Sequence, residues 1–403
     1  MKSKYNPLIF RSLATGAALF AITPLHAADV DTTGTTVTVS PGNKYIGNGT
    51  LQVSGGGEVW LGYSDVAPIT QFAMTGGLID IVSGTTLMNG GWQKLEWYAN
   101  KAGLQVNGGF QMTDGQWVFA DALTGSGAVT MNVDYAYGWM NHLTVGVNGG
   151  GGTFTGTISD SGSDDTVRLT KTGGGTQILT GTNTYRDSTN VNGGKLTVSS
   201  TGTINSTSGV SIGAGEFNYN SSTALTQAVS FSGTGGTLSG SGTINQAVSI
   251  TTGNTLAIGN SVGQMNFGST LNLAGTTVME IDGTVGAGLA GGHDFANVTG
   301  ALTYGGALTL DLGTIFGTGT YSWNLFDFAA ADLGTFSTIT LADQYSGSLL
   351  DGDSNGIWDL NSGNNTWQFT ESTGVLGLTV IPEPNVAALL GGLGVVALLR
   401  RRR

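Results

Sequence analysis

Short runs in which every second residue is apolar recur through the body of the chain. Each closes within a few residues on Gly, Asn, Ser or Asp: "KLTV" at 195–198, "VSI" at 248–250, "LAI" at 256–258, "LNL" at 271–273 and "LTLDL" at 308–312. Alternation with a period of two places Leu308, Leu310 and Leu312 on one side of an extended segment and Thr309 and Asp311 on the other. No stretch of the body sustains a helical period, so the pattern predicts many short strands separated by tight turns. Composition agrees, since Gly fills 69 of 403 positions and the four charged residue types make up only 10%. Gly costs a helix interior about 1 kcal/mol relative to Ala, and the charged residues that normally coat helices are scarce. Pro is nearly absent from the body after Pro68, as continuous backbone ladders require.

The charge balance excludes several function classes. The formal net charge is −12. Seven basic residues, Lys2, Lys4, Arg11, Arg400, Arg401, Arg402 and Arg403, lie at the two ends, and without them the body falls to −19. Binding to nucleic acid or anionic lipid draws on Lys and Arg, so no nucleic-acid partner is expected. The chain has no Cys, which excludes disulfides, thiol chemistry and thiolate metal sites.

The ends read as addresses. Residues 1–27 run from a basic segment through an apolar stretch, Leu13 to Ile22, to small residues at Ala27 and Ala28. That is the layout of a signal peptide handled by Sec-type export machinery, with cleavage expected between Ala27 and Ala28. At the other end, "IPEPNVAALLGGLGVVALLRRRR" joins Pro382, Glu383 and Pro384 to fourteen apolar or Gly residues and then four arginines. As a helix the fourteen would rise about 21 Å, short of the ~30 Å hydrocarbon core unless the arginines snorkel. A single transmembrane helix with the body outside is therefore expected.

Residues 380–403 resemble a PEP-CTERM sorting signal in the order of these three elements. The resemblance implies recognition by an exosortase, a membrane-embedded cysteine transpeptidase that cuts near the Pro-Glu-Pro. It also implies a Gram-negative, exopolysaccharide-making source, a transient tether in the inner membrane, and a product on the cell surface or in the extracellular matrix of a biofilm.

The clearest internal unit is "LTKTGGGTQILTGTNTYRDSTNVNGGKLTV" at 169–198. It resembles the autotransporter-associated β-strand repeat through Leu169, Thr170, Lys171, Gly173, Gly175, Thr176, Leu179, Gly181, Asn183, Thr184, Tyr185, Thr189, Val191, Gly194 and Leu196. Asp187 stands where that family has Gly, a substitution turns tolerate. The resemblance implies an all-β chain folded as a right-handed parallel β-helix, a solenoid in which each coil adds one strand to each of three sheets. Coils of ~20–25 residues at ~4.8 Å spacing would give about fifteen rungs, a rod on the order of 70 Å long. The organisation expected is a signal peptide at 1–27, N-terminal coils or cap at 28–165, the repeat at 166–200, further coils and a C-terminal cap at 201–379, and the sorting signal at 380–403. Trp60, Trp92, Trp97, Trp117 and Trp139 would belong to the N-terminal part, and Trp323, Trp358 and Trp367 to a cap over 321–370. A passenger that exports itself ends in a membrane β-barrel; this chain shows a basic tail there instead.

Catalytic chemistry finds little support. His142 and His293 are the only histidines of the body, neither lies beside a nucleophile motif, and both are expected in loops or at the surface. "DGDSNGIWDLNS" at 351–362 sets Asp351, Asp353, Asn355, Gly356 and Asp359 at EF-hand-like positions, but Ser362 stands where a bidentate carboxylate belongs, so a turn is favoured over a calcium site. Parallel β-helices also include polysaccharide lyases that use a basic residue; the candidates Arg168, Lys171 and Arg186 fall inside the repeat and are expected as solvated side chains on the rod. No cofactor and no metal site are assigned. The sequence thus reads as a non-enzymatic, structural or adhesive surface protein. The alternative is a protein that binds or cleaves exopolysaccharide, with tryptophans stacking on sugar rings.

Overall fold

The structure is a computed structural model that describes residues 29–40, 42–60, 70–88, 97–112, 115–131, 140–160 and 166–382, apart from the side chains of 60 and 330–333. The leader with Ala27 and Ala28, the residues Trp92, Trp139, Glu383 and Pro384, the predicted transmembrane helix and Arg400 to Arg403 lie outside them. Among the described residues every regular element is a strand, and no helix is long and apolar enough to cross a membrane.

The strands stack in parallel, coil upon coil. One sheet holds Trp117–Ala120, Met140–Val145, Thr166–Lys171, Thr189–Val191, Val210–Ile212 and Val229–Phe231 in that order. A second begins at Gly152–Phe154, continues through Thr176–Leu179, Lys195–Val198, Glu216–Tyr219, Thr237–Gly240, Thr255–Ile258, Thr276–Ile281 and Ala307–Leu312, and reaches Thr338–Asp343. The bridge Gly125–Phe154 joins it to five earlier parallel strands, of which Thr36–Thr38 is the outermost. The third side starts as five parallel strands from Gly57–Trp60 to Thr157–Ile158, narrows in the middle coils to short pairings such as Thr182 with Thr203 and Leu225 with Ile244, and widens again through Gln264–Phe267 and Phe295–Tyr304. Chain order along each sheet equals spatial order through these coils, which is the topology of a parallel β-helix. Fourteen strands along the second side span about 60 Å at ~4.8 Å each.

Alternation builds the interior. Gln177, Leu196, Phe217, Leu238 and Leu256 occupy one register column, and all five are buried. Their neighbours Lys195 and Glu216 point outward and form an ion pair of 2.8 Å one rung apart. Each fully buried Leu or Phe contributes roughly 1.5–3 kcal/mol from desolvation alone, so the stack of columns is the main stabilising element. Polar rivets fix the corners. Asn183, buried, accepts from Ile158 N (2.9 Å) and donates to Gly181 O (2.9 Å) and Thr203 O (3.1 Å), thereby engaging three successive coils. At such a corner Gly is obligatory: a Cβ on Gly181 would fall 1.9 Å from Gly156 O.

Coil length is uneven. The second side advances by 21 residues from Lys195 to Glu216 and from Glu216 to Thr237, by 18 to Thr255, then by 31 from Thr276 to Ala307 and again to Thr338. The last coils are therefore wider than the expected ~20–25 residues. They are closed by an antiparallel sheet in the order Gly319–Asn324, Val375–Val380, Asn365–Thr370, Ile357–Ser362. Trp323 and Trp367 are buried there with rings stacked 6.4 Å apart, and Trp358 is 7% exposed. On the second side Gly347–Leu349 pairs antiparallel with Thr338–Asp343, and this reversal ends the parallel ladder there.

Candidate functional site

The repeat at 169–198 supplies one complete step of the solenoid. In Thr166–Lys171 the inward residues are Val167, Leu169 and Lys171. Lys171 continues the column Ala120, Val145, Lys171, Val191 and Ile212, the one cation in an otherwise apolar line. Its side chain is buried, and its ammonium Nζ donates to Thr172 O (2.6 Å), Gly173 O (3.1 Å) and Gly193 O (3.2 Å). Desolvation holds its pKa below the usual lysine range, opposed by the charge of Asp121. Gly194, at φ +58°, must lack a side chain because a Cβ would fall 2.4 Å from the carbonyl oxygens of both Gly173 and Gly175, beside this ammonium. The expectation of a solvated Lys171 is thus corrected: it clasps carbonyls of two consecutive coils at a corner.

Other polar positions of the unit are structural as well. Tyr185 is buried, shares a hydrogen bond of 2.7 Å with Thr189 Oγ1, and burial pushes its phenol pKa up. Thr189 in turn lies 3.2 Å from Thr207 Oγ1, so a hydroxyl chain runs inside the coil. Arg168 pairs with Asp187 at 3.3 Å and Arg186 with Asp160 at 3.0 Å. Both guanidinium groups are partly exposed and ion-paired, whereas Lys171 points inward from the strand that turns Arg168 outward.

The remaining candidates separate in space. His142 faces outward from the strand Met140–Val145 and stacks on Trp117 with centroids 4.4 Å apart. Phe119 adjoins Trp117 at 6.4 Å, and Tyr98, 70% exposed, stands edge-on to Phe119 at 5.8 Å. Trp117 is the one described tryptophan side chain that is only half buried; Trp97 belongs to the core. His293 corrects its expectation: it is 6% exposed, with Nε2 3.1 Å from Asn324 O, because the segment between Asp282 and Asp294 folds back against the closing sheet. Burial holds its imidazole below the ordinary value.

Asp351 uses both carboxylate oxygens on its own turn, accepting from Asn355 N (3.1 Å) and Gly356 N (3.0 Å), and Asp353 accepts from Asn355 Nδ2 (3.0 Å). Asp359 lies beyond the turn on a strand and accepts from Gln368 Nε2 (3.0 Å). Among the described residues no group of three or more His, Cys, Asp or Glu is arranged to hold a metal ion. Pro382 is exposed at the end of the closing sheet, where the preceding Ile381 donates its N–H to Asn364 O (2.9 Å).

Sequence reasoning missed two buried acids. Glu371 Oε1 accepts from Phe336 N (2.8 Å), Thr335 Oγ1 (2.9 Å) and Trp358 Nε1 (3.0 Å), pinning the closing sheet to the last coil. Asp294 accepts from Gly263 N (2.7 Å) and Glu280 N (2.8 Å), and burial nevertheless pushes its carboxyl up to about 8. Neither carries a local motif: Glu371 stands between Thr370 and Ser372 and Asp294 between His293 and Phe295, and those neighbours do not mark a buried acid.

Residues 169–198 match the passenger-associated-transport-repeat family. The match takes in paired strands of two consecutive coils, joined around Lys171, Asn183 and Tyr185. This autotransporter-associated repeat implies an exported, surface-exposed chain of passenger type from a Gram-negative bacterium. No curated protein matches the chain.

Proposed function

We propose that the protein is a non-enzymatic structural or adhesive rod displayed at the cell surface or in the extracellular matrix. The observation that carries this reading is that the repeat at 169–198 supplies two successive rungs of a continuous parallel ladder and shares its columns with the coils on either side. Such a rod presents long lateral sheets and needs no single active centre. In this reading a leader ending at Ala27–Ala28 feeds the Sec-type machinery, a C-terminal helix tethers the chain transiently in the inner membrane, and an exosortase processes it near Pro382, Glu383 and Pro384, with Arg400 to Arg403 retained on the inner side.

The engaged state of Arg168, Lys171 and Arg186 speaks for this over a lyase, since a proton-abstracting base must be free to meet its substrate. Treating intact cells with a protease and identifying the released peptides tests the reading. Peptides from 166–380 should be shed, and the mature C-terminus should end before Arg400. Recovery of those peptides only after lysis would refute it.

A further inference from the structure

The loop Gly259–Gly263 leaves its coil and folds over the outer side of the neighbouring strands. Gly259 and Gly240 exchange backbone hydrogen bonds of 2.8 and 3.2 Å. The cover buries Asn218 and Ser239, which strand alternation would turn to water. Asn218 Nδ2 donates to Asn260 Oδ1 (2.8 Å) and to Ser239 Oγ (2.7 Å), while Gly263 is held from the opposite side by Asp294. The loop is therefore clamped at both flanks.

Beside it lies an open depression of about 520 Å³ whose lining includes Ser241, Asn260, Ser261, Val262, Gln264 and Asn266. Its Asn266 is oriented by Gln264 of the same lining and by Asn297 on the next strand: Gln264 Nε2 (2.8 Å) and Asn297 Nδ2 (3.1 Å) both donate to Asn266 Oδ1. That arrangement directs the Asn266 Nδ2 donor and the Gln264 Oε1 and Asn297 Oδ1 acceptors to other partners. Asn266, Asn297 and Asp327 stand in register on three successive strands, so the polar lane continues from the depression along the rod.

The chemistry of the lining selects its ligand. It contains no cation, and Glu280, whose carboxyl is pushed up by burial and by the nearby Asp282 and Asp311, sits against Ser261. Phosphate, sulfate or uronate groups would meet repulsion without a counter-charge. It also has no aromatic or large apolar side chain, so a hydrophobic ligand gains little. Groups that both donate and accept, held in an open and preorganised trough, match the hydroxyls of an uncharged sugar. We propose that this depression is a binding site for a neutral glycan chain, running along the Asn266, Asn297 and Asp327 lane. The proposal rests on the surface-exposed reading above.

The test uses the purified full chain with soluble dextran, mannan and hydroxyethyl cellulose as probes and polygalacturonate as the acidic comparison. At least one neutral polymer should bind, polygalacturonate should not, and the double variant Asn266→Ala with Asn297→Ala should weaken binding about tenfold or more without lowering the melting temperature. The neutral polymer should also slow backbone hydrogen exchange over 259–266 in the unaltered protein, a measurement that stands even if the variant misfolds. Failure of all three neutral polymers to bind, equal binding of polygalacturonate, or exchange at 259–266 unchanged by a bound polymer overturns the site. Protease release from intact cells reads surface display separately, so a negative binding result with peptides shed sinks this site and leaves the rod.

Discussion

The middle coils, 166–258, and the closing end, 264–380, solve different problems with the same strands. In the middle, steps of 18 to 21 residues return each side chain to the same place one rung on, and stability comes from columns such as Leu196, Phe217, Leu238 and Leu256. At the closing end the coil widens to 31 residues, and the added length makes contacts that occur once. Trp323 Nε1 donates to Gly283 O (2.8 Å), His293 meets Asn324 O, and Glu371 gathers three donors. Repetition extends a solenoid cheaply but does not terminate it. Termination takes singular residues, and among them are the buried acids Asp294 and Glu371 and the buried His293.

The contrast breaks most readily at Glu371. Glu371→Ala strands three donors near the core and should destabilise the closing end by roughly 3–5 kcal/mol, leaving the middle coils intact. Hydrogen exchange resolved along the chain checks this, with faster exchange over 319–380 and unchanged protection at 189–219. Equal loss in both regions would mean that the two are one cooperative unit.

A pH series sharpens the comparison next. Asp294 titrates near 8 when folded and at its ordinary 3.8 when unfolded, so between these values the folded chain holds a proton that the unfolded chain has released. Its stabilising contribution is therefore complete below about pH 4 and declines as pH rises to 8. His293 acts in the opposite sense, but only below its ordinary 6.5. From pH 6.5 to 8 His293 no longer contributes; Asp294 should cost the closing end roughly 2 kcal/mol, and the raised carboxyl of Glu280 beside it works in the same direction. Exchange rates over 263–294 should follow that slope while those over 189–219 stay flat.

The smallest effect belongs to the middle. Lys171→Met keeps the stem in its column and removes only the ammonium, so the cost is that of three carbonyls left to find water, about 1–2 kcal/mol. A urea unfolding midpoint measures it. A stabilised variant would show that desolvating the charge outweighs its three hydrogen bonds.

Much of the core was legible because alternation is local. Leu308, Leu310 and Leu312 were predicted on one side and are all buried. The same rule applied to "VRLTK" places Lys171 inward with Val167 and Leu169, but its charge argued for solvent; three carbonyls at a glycine corner reversed that argument. His293 and Asp294 were illegible because their burial depends on partners up to 31 residues away. The glycan trough was equally hidden. Asn218, the segment with Asn260 and Asn266, and Asn297 come from three coils, and only the folded register brings their amides together.

Asn183 has a mechanical consequence. Because one side chain grips the backbone of the coil before, its own coil and the coil after, a pull along the rod cannot concentrate on a single seam. Load entering at one rung is passed to its neighbours through short polar links as well as through the sheets, so the rod should yield in multi-coil steps rather than peel one turn at a time.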